Sequence, residues 1–220
     1  MDVTAVVLVG APAEPVDALT EVGGVPMLVL AVRTLLATGL VEHVHLHDHG
    51  ARRAALERAC AGLPVTVGTH TGQRLPGTAG DGSDTLRAER ADSGVIVLHD
   101  AARPLAPAAL ATAVVDAVLA GHGMSVPVLP LSDTVKRVDA AGVVRATPDR
   151  AGLRVLQTPI AARAEALTGG PAADPLEHVR RRLAAGHTVH TVPGHPAAFA
   201  VRGEWDLELA RQLAARTMSG

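Results

Sequence analysis

Aromatic residues are almost missing from this chain: Phe199 and Trp205 are the only two in 220 residues. Proteins that bind single-stranded nucleic acid stack bases on aromatic platforms, and this chain has almost none to offer. Its core must be built from Val, Leu and Ala, which suits parallel strands covered by helices. Cysteine is equally scarce. A single residue, Cys60, excludes a disulfide scaffold and a cysteine metal cluster, and its place in a helical stretch (52–61) points to a small buried apolar role. Lysine occurs once, at Lys136, and no Lys or Arg precedes Arg33. With a net charge of −2, no basic patch calls for nucleic acid or an anionic membrane. No apolar run approaches a membrane span. The opening MDVTAVVLVG has no basic lead and reads as a strand, not a signal peptide. The expected compartment is the cytoplasm.

What is present is a long alternation of apolar runs and amphipathic stretches. The length fits one domain over 1–220, and 48% hydrophobic residues can fill a sizeable core. Strands are expected at 4–9, 42–47, 64–67, 94–98 and 124–129. Helices are expected at 26–38, with Pro26 in the first turn, at 50–62 and at 107–120, the last ended by Gly121. This order argues for an α/β fold: three layers around a mostly parallel, doubly wound sheet. After Leu131 the pattern changes. DTVKRV (133–138) and VVRAT (143–147) flank DAAG, which reads as a hairpin. Residues 132–150 are therefore expected to form a protruding arm, of the kind that pairs with a second copy. A helix at 174–185, strands at 188–192 and 197–201, and a helix at 204–215 close the chain. The Gly-rich stretch 69–83 reads as a mobile loop or a ligand loop.

The strongest local feature is HDAARPL (99–105), directly after the buried run GVIVL. In open α/β sheets ligands bind beyond the carboxyl ends of the strands. Asp100 could hold Mg²⁺ on a phosphate there, and Arg103 could fork two phosphate oxygens. A plain structural role is an equal contender on position alone, with Asp100 as a helix cap and Arg103 solvated. In EHVHLHDH (42–49), period two puts His43, His45, His47 and His49 on one face. Three such residues could hold Zn²⁺ or Ni²⁺. A strand covered on both faces, with no visible acidic support, instead favours packed and rim histidines.

Five short motifs decide between the readings of Asp100: HDAARP, SDTVKR (132–137), TPDR (147–150), QTP (157–159) and PGHPAAF (193–199). In this order and spacing the chain resembles the 2-C-methyl-D-erythritol 4-phosphate cytidylyltransferases, from about Gly94 to the end. Agreement is weaker back to the first strand, VGGVPML (22–28) included. The resemblance implies transfer of CMP from CTP to a sugar-alcohol phosphate, with Mg²⁺ and with release of pyrophosphate, in a homodimer completed by the arm. It implies that Asp100 faces the metal and the reacting phosphate. Arg103, Thr134, Arg150 and Thr158 would hold the acceptor phosphate, Arg150 reaching from the partner's arm. Gly10, Ala11 and Ala101 would line the nucleotide side, and Gly80, Asp81 and Thr85 would lie against the base. GQR (72–74) is a rival match for the family's Gly-Gly-x-x-Arg stretch.

The chain also departs from that pattern. The family's first loop carries an Arg and a Lys that neutralise the triphosphate. Here Gly10 leads into APAEPVDALTEVGG, Pro12 and Pro15 remove N–H donors, and Asp17 falls where the Lys belongs. A further family Lys, on the late strand, is replaced by Ala200. Arg202, two residues on, is expected to share that face and restore part of the charge. Losing two or three such cations from a phosphoryl-transfer site costs much of its rate, since each is worth about 10²–10³. The sequence therefore leaves three readings: the cytidylyltransferase, an impaired or inactive paralogue that binds a sugar phosphate or nucleotide or acts by dimerising, and an enzyme on another phosphorylated substrate.

Overall fold

The computed structural model describes residues 2–10, 16–48, 52–69, 94–167 and 174–218. Twelve strands are seen there. They run β1 (Val3–Val9), β2 (Glu21–Val22), β3 (Val25–Pro26), β4 (Val44–Asp48), β5 (Val65–Thr69) and β6 (Val95–Asp100), then β7 (Met124–Pro130), β8 (Arg137–Val138), β9 (Val144–Ala146), β10 (Arg154–Leu156), β11 (Ile160–Arg163) and β12 (His190–Pro193). The helices are α1 (Met27–Leu36), α2 (Arg53–Ala59), α3 (Ala108–Leu119), α4 (Pro175–Ala184) and α5 (Glu204–Met218).

Eight strands form one sheet in the order β10-β7-β11-β6-β1-β4-β5, with β12 on β7. β1 runs parallel to both β6 and β4, and β4 parallel to β5. β11 runs antiparallel between β6 and β7. The two faces carry separate apolar clusters. On one, Leu28, Val32 and Leu35 of α1, Leu56 of α2 and Val114 and Val118 of α3 meet Ala5, Val7 and Val9 of β1. On the other, Val179 of α4 and Leu167 meet Val6, Leu8, Ile96 and Leu98. This is the expected three-layer α/β fold. The cause is local: α1 buries Met27, Leu28, Ala31, Val32 and Leu35, one stripe at helical spacing, while β1 buries its whole carboxyl half.

Several boundaries differ from expectation. Pro26 stands just before α1, not in its first turn. The strand expected at 94–98 runs on to Asp100. At 197–201 there is no strand: Pro196–Ala198 is a 3-10 turn, started by the His195 ring accepting the Ala197 N–H at 3.1 Å. The hairpin of the arm is present as β8 and β9, with Gly142 at φ 79° and Asp139 Oδ1 accepting the N–H groups of Ala141 and Val143 at 3.0 Å each. Among the described residues, no helix is long and apolar enough to cross a membrane.

Candidate active site

β6 ends on the central part of the sheet, and its last residue brings the first functional group. Asp100 is level with Leu8 of β1 and close to Thr158, which precedes β11. Asp100 Oδ1 accepts the Ala102 N–H at 2.9 Å, a local turn and not a helix cap, since α3 begins only at Ala108. Asp100 Oδ2 accepts from the Arg202 guanidinium at 3.1 Å, and Arg103 Nε lies 3.9 Å away. Arg103 is itself buried, with Nη1 donating to the Ala198 carbonyl at 2.6 Å. Burial pushes the Asp100 carboxyl above its usual range, against the Ala102 N–H and the charges of Arg202 and Arg103. Burial likewise works against the charge on Arg103, and Asp100 offsets it. Each ion thus justifies the other in a site with little water.

Thr158 ties the base of this cluster. Its Oγ1 accepts the Asp100 N–H at 3.1 Å and lies 3.0 Å from His99 Nδ1. His99 is fully buried. Burial first, and the Arg103 charge second, lower its pKa from 6.5 to about 3, against the Arg103 backbone. The ring is therefore neutral at neutral pH and serves as a fixed prop for Thr158. Gln157 closes the other side. Its side-chain amide donates to the carbonyls of His195 (2.9 Å) and Ala198 (3.2 Å) and accepts the His195 N–H (2.9 Å). Gly194 fits under it because a Cβ there would come within 2.9 Å of the Val128 carbonyl. The HDAARP, QTP and PGHPAAF segments are thereby one bonded unit.

The sequence-derived residues divide into three groups. Asp100, Ala101, Arg103, Thr158 and Arg202 come together. Arg202 does so from the loop ahead of α5, because the strand expected to present it is absent. Thr134 and Arg150 do not join them within one chain. Both are exposed on the arm, where Arg150 Nη1 donates to the Ser132 carbonyl at 2.6 Å. Ala11, Gly80, Asp81, Thr85, the GQR stretch and His49 lie outside the described residues, as do Pro12 and Pro15. Just ahead of β4, His43 Nε2 is 2.7 Å from Thr66 Oγ1 and its ring meets that of His45 edge to face at 5.1 Å. Among the described residues, no group of three or more His, Cys, Asp or Glu side chains is placed to hold a metal ion.

Two charged residues escaped the sequence reading. Asp174 caps α4, accepting the Leu176 N–H at 2.9 Å, and its charge reaches Asp100 and Arg103. The DP pair at a helix start could have marked the cap, but not what it faces. Arg52, just ahead of α2, reaches back across the end of the sheet. Its Nη2 donates to the Gly10 carbonyl at 2.6 Å and to Asp48 Oδ1 at 3.1 Å, and its Nη1 pairs with Asp17. Nothing local in the sequence signals this. It depends on β1 and β4 being neighbours.

A parallel-centred α/β sheet with acidic and guanidinium side chains at its carboxyl edge is suited to a phosphorylated ligand. Solved structures share the fold. A 4-diphosphocytidyl-2C-methyl-D-erythritol synthase from Anaerococcus prevotii superposes with a TM-score of 0.77 at 18% identity, over 98% of this chain and 99% of that one. The 2-C-methyl-D-erythritol 4-phosphate cytidylyltransferase of Thermus thermophilus gives 0.71 at 23% identity, over 98% and 100%. Sequence narrows the class. The profile of the 2-C-methyl-D-erythritol 4-phosphate cytidylyltransferase family matches residues 12–216. Proteins of that name from Nocardia farcinica and Frankia casuarinae are 41% and 39% identical, covering 89% and 90% of this chain and 84% and 74% of theirs. The chain belongs to this family.

Proposed function

We propose that this protein transfers the CMP group of CTP to 2-C-methyl-D-erythritol 4-phosphate, releasing pyrophosphate, in isoprenoid biosynthesis. The observation that carries the reading is the bonded cluster of Asp100, Arg103, Thr158 and Arg202 at the end of β6, in a member of this family. An acceptor phosphate oxygen attacks the α-phosphorus of CTP in line. The new P–O bond forms as the bond from the α-phosphorus to the bridging oxygen breaks, and pyrophosphate leaves with that oxygen. Arg103 and Arg202 bring two guanidinium groups to the carboxylate, where charge on the transferring group is to be balanced. Thr158, propped by neutral His99, holds the Asp100 backbone in register.

Mg²⁺ would neutralise phosphate charge and orient the triphosphate for this attack. Mg²⁺ bound to a nucleotide takes only one or two protein carboxylates and fills its shell with phosphate and water. Asp100 fits that role, and Arg202 would yield Oδ2 when a cation arrives. Thr134 and Arg150 would complete the acceptor pocket from a second copy. Support for this comes from their exposure on an arm that also exposes Val138, Val143 and Val144. The inactive-paralogue reading rested on missing cations, and Arg202 stands at the end of β6 and Arg52 at the ends of β1 and β4. The test is pyrophosphate release from CTP and methylerythritol phosphate with Mg²⁺, at high protein concentration. Turnover well above background is expected. A folded, dimeric protein with no turnover would overturn the reading.

A further inference from the structure

The first loop needs positive charge and has none of its own, since no Lys or Arg precedes Arg33. Arg33 is exposed on α1. The described guanidinium that does reach the end of β1 is that of Arg52. It is well built. The side chain is 16% exposed and wedged between three groups: the Gly10 carbonyl, the fully buried Asp48 carboxylate and the rim carboxylate of Asp17, which is 36% exposed. Asp48 holds both ends of the residue, since its Oδ2 also accepts the Arg52 backbone N–H at 3.1 Å. Arg52 Nε is buried with no hydrogen-bond partner among the described residues. The register places Asp48 beside Val9 on one side of β1 and Asp100 beside Leu8 on the other. With strands about 4.8 Å apart, the backbones of the two residues stand roughly 10 Å apart along the same edge of the sheet, one level with the Val9 face and the other with the Leu8 face.

The two carboxylates on Arg52 differ in kind. Asp48 has no solvent and no other described cation, so it is a permanent anchor. Asp17 is at the rim, where its Oδ1 accepts the Leu19 N–H at 2.7 Å, so only its Oδ2 has to leave the guanidinium for water. We propose that Arg52 is this protein's cation for the nucleotide triphosphate, and that Asp17 is its built-in competitor, displaced from the guanidinium when phosphate binds. The proposal rests on the reading that a nucleotide enters at this end of the sheet. One Arg serves one loop by changing partners: carboxylate when empty, phosphate when filled. Its fork geometry matches both. The consequence is counter-intuitive. Removing a conspicuous ion pair strengthens ligand binding.

The experiment is a double-variant cycle read by calorimetric binding of inorganic triphosphate and of CTP, each with Mg²⁺. The proteins are the wild type, Asp17→Asn, Arg52→Gln and the pair together. Asp17→Asn is expected to tighten both probes about fivefold, because the competitor is gone. Arg52→Gln is expected to weaken both about tenfold or more. In the Arg52→Gln background the Asp17→Asn gain should vanish. A gain that persists there would make Asp17 a general repulsive charge and overturn the proposal. So would unchanged or weaker binding by Asp17→Asn, or no binding of either probe by any of the four. Arg52→Gln leaves Asp48 buried without a cation, so its fold is checked by urea unfolding. If it fails to fold, Arg52→Lys takes its place in the cycle: it leaves a cation beside Asp48, and the Asp17→Asn gain should shrink with the loss of the fork, while a full gain would overturn the proposal. Triphosphate binding needs no acceptor and no turnover. A clean cycle in a protein that makes no pyrophosphate would keep this inference and remove the proposed reaction, and turnover with a flat cycle would do the reverse.

Discussion

The two charged clusters at this edge of the sheet are built in opposite ways. At the end of β6 the groups come from motifs visible in sequence, and the bracing is chiefly by backbone: the Ala198 carbonyl holds Arg103 and the Ala102 N–H holds the Asp100 carboxylate, while the Thr158 hydroxyl takes the Asp100 N–H. At the ends of β1 and β4 the charge comes from Arg52, far from the loop it serves, and is braced chiefly by two carboxylate side chains beside the Gly10 carbonyl. Backbone bracing holds a charge in one place. Side-chain bracing lets a charge trade partners. The first arrangement suits a reacting centre, whose geometry must not move. The second suits a binding loop, whose ligand comes and goes.

That contrast can be broken or sharpened by experiment. The largest effect is expected at the backbone-braced end. Asp100→Asn keeps the shape and the Ala102 turn but removes the charge, and kcat should fall by about 10²-fold or more. A fall under threefold would take Asp100 out of the reaction. The same variant tests the arm. Mixed one to one with Arg150→Ala, it should regain about one quarter of wild-type activity, since half the dimers are mixed and each mixed dimer has one intact site. No regain would place Arg150 in its own chain's site or in none. Next comes Arg202→Ala. Its guanidinium is half exposed, so a loss of roughly threefold to tenfold is expected in kcat/KM, with little change in stability. Unchanged kinetics would show that Arg202 does not replace the absent Lys.

The smallest effect concerns acid. His99 has its folded pKa lowered to about 3 from 6.5. Its contribution to stability is present above pH 6.5 and is lost as pH falls from there toward 3, because only the unfolded chain takes up the proton. Asp100 acts in the opposite sense. Its pKa is raised from 3.8, so its contribution is present below that value and lost as pH rises. In urea unfolding between pH 7 and 4, the wild type should weaken toward acid and His99→Gln should weaken less. Parallel profiles would mean that His99 does not titrate as its burial requires.

Much of the fold was legible because its signals are local. Buried strands read as short apolar runs, and α1 and α3 show helical stripes. The strand β11 was not legible. Two of its four residues, Ala161 and Ala162, are Ala, a poor strand former in isolation. It is a strand because it lies antiparallel between β6 and β7, where both faces are crowded and Ile160, Ala161 and Ala162 are buried. The expected strand at 197–201 failed for the converse reason. Its apolar residues fill the space beside Arg103 and α5, with Pro196 opening a 3-10 turn.

For the site, the sequence by itself determined the class of chemistry. Asp100 and Arg103 follow a buried strand, and QTP and PGHPAAF carry the residues that bind them together. It also showed, correctly, that the first loop holds no cation before Arg33. Only the tertiary structure decided where cations would come from. Arg52 meets Asp17 across 35 residues and Gly10 across 42, and Arg202 meets Asp100 across 102. Periodicity reports what a side chain's immediate neighbours require. Which distant charges meet depends on strand order, and here β1 lies between β4 and β6, so the carboxyl ends of all three lie side by side at one edge of the sheet.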